Sequence, residues 1–237
     1  MENQTNEIIP SVSIKLDLNE LLESLSKNKT ISKFAKATHP IADMAYNLTS
    51  IISMPSKLAK EWVEKRFNIM VDNIKSKNIT NPRKISLKIA DPLIKNALME
   101  DDPVSIKKWD NLISNAVNAD FKYEIKLVYI DILKNMTSID IHILDTIYDT
   151  LLSKDLIYPI ENLHKHTLTK ENLINVLRIS IEDYYISADN LMRSQLIKPA
   201  ILKDTGIAAG SEPITIYKDV DIITLSPLGA KLVEACK

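Results

Sequence analysis

Glycine is absent from most of this chain, and that absence limits the folds open to it. Only three glycines occur in 237 residues, Gly206, Gly210 and Gly229, and all lie in the C-terminal third. Rossmann and P-loop proteins bind phosphate groups with glycine-rich loops, because glycine lets the backbone approach the ligand closely. The sequence therefore disfavours nucleotide-dependent α/β enzymes of these types.

Cysteine usage and the N-terminal sequence indicate the compartment. The single cysteine, Cys236, permits no intramolecular disulfide and no thiolate metal cluster, which fits a reducing environment. The sequence at Met1 lacks the basic and then apolar run of a signal peptide, and no segment reaches about 18 uninterrupted apolar residues. We therefore predict a soluble cytoplasmic protein without a transmembrane segment.

Hydrophobic periodicity predicts a mainly helical fold with three parts. Residues 1–39 are interpreted as a polar arm with a short helix, residues 40–136 as a helical domain, and residues 137–237 as a second domain. Within the helical domain, residues 40–54 have an apolar face that predicts packing against a core or a partner, with a membrane surface as the alternative. A longer amphipathic helix is predicted after Pro55.

Proline and aspartate mark the next boundaries of the helical domain. The alternation between Asn78 and Ala90 predicts an extended segment. Asp91-Pro92 and Asp102-Pro103 each place a capping carboxylate before a proline at the first helical position, where the missing N–H is harmless. A further helix, apolar on most sides, is predicted from Phe121 to about Asn135.

The last hundred residues have the order of elements of a winged helix. Thr137 with Asp140 resembles a capping box and predicts a first helix. Thr169 and Ser187 are predicted to cap two further helices joined by a short connection, as in a helix-turn-helix. Ser226-Pro227 predicts a closing helix.

Extended segments between these helices predict a small β-wing. One runs from Ile197 to Lys203, and two shorter alternating segments cover Ile214 to Tyr217 and Asp221 to Leu225. The fold class is therefore predicted as mainly α, with an N-terminal helical domain and a C-terminal winged-helix-like module.

The charge of this module argues against DNA as its main partner. From Thr137 onward there are ten Lys or Arg against fourteen Asp or Glu, whereas DNA-binding modules are typically basic because they neutralise phosphates. The side chains that could still contact nucleic acid are Asn190, Arg193, Gln195, Lys198 and Lys203.

Positive charge is concentrated before the module instead. A solvated face is the plain interpretation, and a surface for nucleic acid or anionic lipid is the alternative. The residues of this candidate basic surface are Lys57, Lys60, Lys65, Arg66, Lys75, Lys77, Arg83, Lys84 and Lys88.

The sequence predicts neither catalysis nor a metal or cofactor site. Four histidines are scattered, and the pair His164 and His166 stands without neighbouring cysteines. Paired carboxylates such as Asp101 and Asp102 are explained by helix caps and turns, and no serine has the context of a nucleophile elbow. We therefore predict a protein that is not an enzyme.

Several blocks of sequence, in order, resemble the abortive infection alpha family of bacteria and phages. The blocks are Asp91-Pro92-Leu93-Ile94-Lys95-Asn96-Ala97, Trp109 to Ala116, Ile132 to Leu144, Asn190 to Ile197, and Thr224 to Cys236. Gln195 stands where family members tend to have a small or glycine-like residue. The resemblance implies phage defence by an undefined mechanism, and no active residues are assigned that could be carried over.

Three functions remain open from the sequence. The first is a non-enzymatic defence protein acting through a protein partner or a second copy of itself. The second is a winged-helix DNA-binding regulator. The third is a membrane-surface effector that uses residues 40–77.

Overall fold

A computed structural model describes residues 57–200 and 221–237. The predicted arm, the apolar stretch 40–54, Lys203 and the segment from Ile214 to Tyr217 lie outside these residues. The chain divides between Asp72 and Asn73 into two units. Of the described residues, 57–72 belong to the first unit, and all the others belong to the second unit.

Helices dominate the described residues, which confirms the mainly helical prediction. A six-residue 3-10 helix, Ile160–Lys165, precedes β1. In chain order the α-helices and strands are α1 (Lys57–Ser76), α2 (Leu87–Met99), α3 (Pro103–Val117), α4 (Leu127–Leu133), α5 (Ser138–Leu152), β1 (Thr167–Thr169), α6 (Lys170–Leu177), α7 (Ile181–Arg193), β2 (Ile197–Pro199), β3 (Ile222–Leu225) and α8 (Pro227–Ala235).

Helix α2 begins earlier than predicted, so the extended segment to Ala90 and the Asp91 cap are wrong. Ser86 stands at the cap position, and the amide of Ala90 donates to its carbonyl over 2.9 Å. Pro92 lies inside the helix, and Asp91 instead accepts a hydrogen bond from Lys95 one turn later. The apolar stripe of α2 extends over this whole range, so its burial outweighs the one amide donor that proline lacks.

Helix α3 is the most buried helix of the second unit. The predicted Asp102 cap is confirmed: its carboxylate accepts from the amides of Val104 and Ser105 at 3.0 and 2.8 Å. These backbone donors, with the Ser138 hydroxyl, lower the pKa of Asp102. Trp109 is fully buried and donates its indole N–H to Glu100.

Helix α4 is shorter than the predicted helix from Phe121 to Asn135. It begins only at Leu127, because the preceding residues are held in a turn. Arg83 donates to the carbonyls of Ala116, Asn115 and Tyr123 over 2.8 to 3.0 Å. Asn115 and Ala116 belong to the last turn of α3, so Arg83 ties the Tyr123 carbonyl to the end of that helix and the tertiary fold, not a local helix, satisfies it.

Three predicted caps of the C-terminal half are confirmed, and one is wrong. Thr137 forms the capping box with Asp140, Thr169 caps α6, and Ser226 caps α8. Helix α7 starts at Ile181 and not after Ser187, because Ser180 accepts from the amide of Asp183 over 3.0 Å. Ser187 is buried in the middle of that helix.

The described strands form one three-stranded sheet with the order β1-β3-β2. Both pairs are antiparallel, with Leu168 opposite Ile223 and Ile197 opposite Leu225. The two residues of this first pair, Leu168 and Ile223, are both buried. The extended segments at Ile197 and at Asp221 to Leu225 are thereby confirmed.

Helix α8 is fixed at its N-terminal end by the turn after α7. The Ser226 hydroxyl donates to the Gln195 carbonyl over 2.6 Å and accepts from the Gly229 amide over 2.9 Å. A Cβ at Gly229 would lie 2.3 Å from the Leu196 carbonyl oxygen. Only glycine therefore allows α8 to approach this turn so closely.

Side chains of α3 bind the C-terminal end of α8. Asn111 donates to the Cys236 carbonyl over 3.0 Å, and Asn115 donates to the Ala235 carbonyl over 2.9 Å. The last carbonyls of a helix have no partner within the helix, so these amides satisfy groups that would otherwise be left buried and unpaired. Residues on the two sides of the predicted boundary at 136 are thus in contact, while the boundary itself stays a prediction.

We expect Asn111→Ala to lower the free energy of unfolding by about 1–3 kcal/mol, because it leaves a buried carbonyl unsatisfied. Urea unfolding followed by circular dichroism measures this change. Asn172→Ala is the control, since Asn172 is exposed and its side chain makes no hydrogen bond within the described residues; it should change stability by less than about 0.5 kcal/mol. Equal effects of the two variants would contradict the role of Asn111.

We expect Gln195→Gly to stabilise the protein. Gln195 has a φ of 59°, a left-handed conformation that costs an L residue roughly 1 kcal/mol and glycine almost nothing. The melting temperature should rise by about 2–4 °C. Ser194→Gly is the control, because Ser194 has a φ of −80° and gains nothing from glycine. A lower melting temperature for Gln195→Gly would refute this account of the turn.

Candidate functional site

Helix α7 has one buried face and one exposed face. Its buried side chains include Tyr184, Ser187, Ala188 and Leu191, which recur every three or four residues. They hold the helix against α5, α6 and β2. The opposite face is therefore fixed in position and directed to solvent.

The exposed face of α7 is mainly apolar and acidic, with Arg193 exposed at its C-terminal end. It consists of Ile181, Glu182, Tyr185, Ile186 and Asp189, which we call the α7 face. All five residues are exposed, and the side chain of Ile186 is 71 % accessible. Large exposed apolar side chains that are grouped on one helix indicate an interaction surface more than scattered ones do.

The lysine next to this face is already engaged within the chain. Lys170 donates to the Asp221 carboxylate over 2.7 Å and to the Tyr185 hydroxyl over 2.8 Å. These hydrogen bonds, first that to Asp221 and then that to Tyr185, raise the pKa of Lys170. The ammonium group therefore orients the Tyr185 ring and ties α6 to the start of β3.

The five predicted nucleic-acid residues fall into different environments. Asn190 is half-buried and donates to the Asp140 carboxylate over 2.6 Å, and Arg193 donates to Asn190 over 2.6 Å. Gln195 forms the left-handed turn, and Lys198 is exposed on β2. Lys203 lies outside the described residues. The structure thus joins Asn190 and Arg193 in one hydrogen-bonded chain that leads to α5.

An open depression of about 400 Å³ lies between α7 and the start of α5. Its lining includes Asp140, Asp189 and Arg193. Asp140 is buried and also accepts from the Thr137 amide as part of the capping box. Asn190 therefore connects the helix cap of α5 to α7.

The residues of the candidate basic surface also differ among themselves. Lys65, Lys77, Lys84 and Lys88 are exposed, whereas Arg66 is buried. Arg83 is half-buried and donates to the carbonyls of Asn115, Ala116 and Tyr123. Lys57, Lys60 and Lys75 lie on α1, with side chains outside the described part.

A cluster of tyrosines around Lys231 was not found from the sequence. The ammonium nitrogen of Lys231 lies 3.7 Å from the centre of the Tyr123 ring and donates to Tyr158 and Glu234, each over 2.8 Å. Tyr158 donates to Glu234 over 2.5 Å. Desolvation, followed by the Glu234 charge, raises the pKa of Tyr148 to about 12. Desolvation and the hydrogen bond to Glu234 raise the pKa of Tyr158 as well, whereas the interaction with Lys231 lowers the pKa of Tyr123. The cluster holds α8 to the loops before α4 and before β1.

No described helix is both long and apolar enough to cross a membrane. Among residues 57–200 and 221–237, no group of three His, Cys, Asp or Glu side chains is arranged to hold a metal ion.

We expect Asn190→Ala to reduce stability by about 1–2 kcal/mol, because it removes a donor from a buried carboxylate. Arg193→Ala is the matched control on the same helix: Arg193 is exposed, so its loss should cost less than about 0.5 kcal/mol. Urea unfolding of both variants measures the difference. Unchanged stability in Asn190→Ala would mean that Asn190 is available for a ligand.

A family model described as "Abortive infection alpha" matches residues 56–236. No curated protein matches the chain. No solved structure matches it either.

Proposed function

The chain belongs to the abortive infection alpha family, and on this premise we propose that it is a non-enzymatic phage-defence protein whose C-terminal winged helix binds a protein partner through the α7 face. The family provides the link to abortive infection. The proposed mode of action rests on the exposure of Ile186 and its apolar neighbours on α7.

The order of elements from α5 onward supports a winged helix. A helix, a strand, two helices joined by three residues, and two further strands follow one another, and β3 lies between β1 and β2. In such a module α6 and α7 form the helix-turn-helix, and α7 takes the place of the recognition helix.

The chemistry of the α7 face favours a protein over DNA. A recognition helix in a DNA groove needs cations for phosphates, and its affinity depends on the counterions that they release. The α7 face instead presents two isoleucines, a tyrosine and two carboxylates. Placing Glu182 and Asp189 against phosphates would be repulsive, whereas buried aromatic and aliphatic side chains are the usual anchors of protein interfaces.

The engaged polar groups nearby support the same conclusion. Asn190 is tied to Asp140, and Lys170 is tied to Asp221. Breaking the contact to the buried Asp140 would remove one of its donors, at a cost of about 1–2 kcal/mol, and breaking the contact to Asp221 would separate an ion pair. The partner that fits is an apolar surface with basic side chains at its rim, which could belong to another protein or to a second copy of the chain.

We expect Ile186→Glu to abolish protection against phage while leaving the fold intact, because it places a third carboxylate in the centre of the α7 face. The measurement is plaquing efficiency of a phage panel on cells that express each variant at equal level. Met99→Glu is the matched control, since Met99 is equally an exposed apolar residue but lies on α2. Circular dichroism confirms that both variants are folded.

Two outcomes would count against the proposal. Unchanged plaquing on cells that express the natural chain would oppose the defence role. Full protection by Ile186→Glu would remove the α7 face as the contact surface. A DNA-binding function would be indicated instead if fluorescence anisotropy detected a steeply salt-dependent affinity that Arg193→Ala and Lys198→Ala both weaken.

A further inference from the structure

A groove separate from the α7 face lies between α5, the β1 region and α6. Its volume is about 390 Å³, and its wall is formed by side chains from residues 146–176. Pockets that bind small molecules cover roughly 300–1,000 Å³, so the groove has room for one small molecule. All the residues that line it belong to the second unit and to the described part of the chain.

The groove brings together two lysines that have no partner. Lys154 and Lys165 are both exposed at its rim and make no hydrogen bond or ion pair within residues 57–200 and 221–237. By contrast, Lys108, Lys170 and Lys231 are each paired with a carboxylate at 2.7 to 2.8 Å. Lys198 also has no ion pair among the described residues, but it is not part of the lining of this groove. In a module with an excess of acidic residues, two uncompensated ammonium groups at one groove form a local site for an anion.

Basic side chains line the wall of the groove, and acidic ones do not. His166 lines the groove with the two lysines, and no Asp or Glu is part of the lining. An anionic group in this position would meet no repelling carboxylate in the wall. Ammonium groups bind phosphate as point charges without needing a glycine-rich loop.

Neutral hydrogen-bonding groups and an aliphatic floor complete the groove. Four polar side chains line it: Thr146, Thr150, Thr167 and Asn172. None of these side chains makes a hydrogen bond to another described residue. Such groups suit the hydroxyls and ring nitrogens of a ligand. The floor is aliphatic and consists of Leu151, Leu156, Leu168, Leu173 and Val176.

We propose that this groove binds a nucleotide-sized phosphate compound: the phosphate pairs with Lys154 and Lys165, and the nucleoside lies on the aliphatic floor beside the threonines and Asn172. Inorganic phosphate would leave the floor uncovered. A lipid chain would leave the hydroxyls and the amide without partners. The site is independent of the α7 face and of the protein partner proposed for it.

Isothermal titration calorimetry of the full chain with AMP, GMP, CMP and UMP tests the site. We expect saturable binding of at least one nucleotide, with adenosine or the corresponding nucleoside and inorganic phosphate each weaker by about tenfold or more, equivalent to about 1.4 kcal/mol. Vesicles of phosphatidylglycerol in phosphatidylcholine, tested by flotation, distinguish a lipid headgroup from a free phosphate compound.

Variants assign the binding to the groove. Lys154→Met with Lys165→Met should weaken nucleotide binding by about tenfold or more, because both charges are lost while most of the aliphatic length remains. Val176→Trp, at a side chain that is 67 % accessible, should block the floor without disturbing the core. Lys107→Met, on α3, is the matched control and should bind like the natural chain.

Circular dichroism melts show whether each variant is folded, and the two groove variants test the site by separate routes. The proposal is overturned if no nucleotide binds, if the nucleoside binds as tightly as the nucleotide, or if the lysine variant binds unchanged. Association with anionic vesicles in place of free nucleotides would also overturn it. Loss of nucleotide binding in both groove variants, with phage protection measured separately, supports it whatever the outcome at the α7 face.

Discussion

The attachment of α8 at both of its ends is the constraint on which the second unit depends. At one end Ser226 and Gly229 contact the turn at Gln195 and Leu196, and at the other Asn111 and Asn115 bind the last carbonyls. The bond from Asn111 to Cys236 joins residues 125 positions apart. Closing so long a loop costs entropy, which the buried apolar surface and satisfied carbonyls of α8 must offset.

This attachment explains why the blocks that resemble the family lie where they do. Trp109 to Ala116 supplies the two asparagines, Asn190 to Ile197 supplies the left-handed turn, and Thr224 to Cys236 supplies the helix that both contact. These blocks therefore form one packing unit in the second unit of the chain.

Ion pairs within the second unit determine which of its lysines remain available to bind a ligand. Lys108, Lys170 and Lys231 are neutralised by carboxylates, while Lys154 and Lys165 are not. The total charge of the module is acidic, yet Lys154 and Lys165 line one groove without an ion pair to any described residue, and Ile181, Tyr185 and Ile186 are exposed together on α7. Two surfaces with different chemistry therefore arise from a sequence whose net charge indicates only an acidic domain.

Helix caps could be predicted from the sequence because a cap depends only on neighbouring residues. Asp102, Thr137, Thr169 and Ser226 cap their helices as predicted, because a cap needs only a side-chain oxygen within three residues of free amides. Ser180, with Asp183 three residues later, has the same capping pattern at the start of α7, so this cap could also have been predicted from the sequence.

Other boundaries were decided by contacts that no short window contains. Apolar alternation up to Ile89 fits a strand and the first turn of a helix equally, and only burial of the full α2 stripe separates them. The segment after Phe121 is held open by Arg83, nearly forty residues earlier. The sequence by itself determined the helical class, four of the helix caps and the family. Tertiary structure decided which lysines stay unpaired and which face of α7 is exposed, because both depend on partners that are distant in the chain.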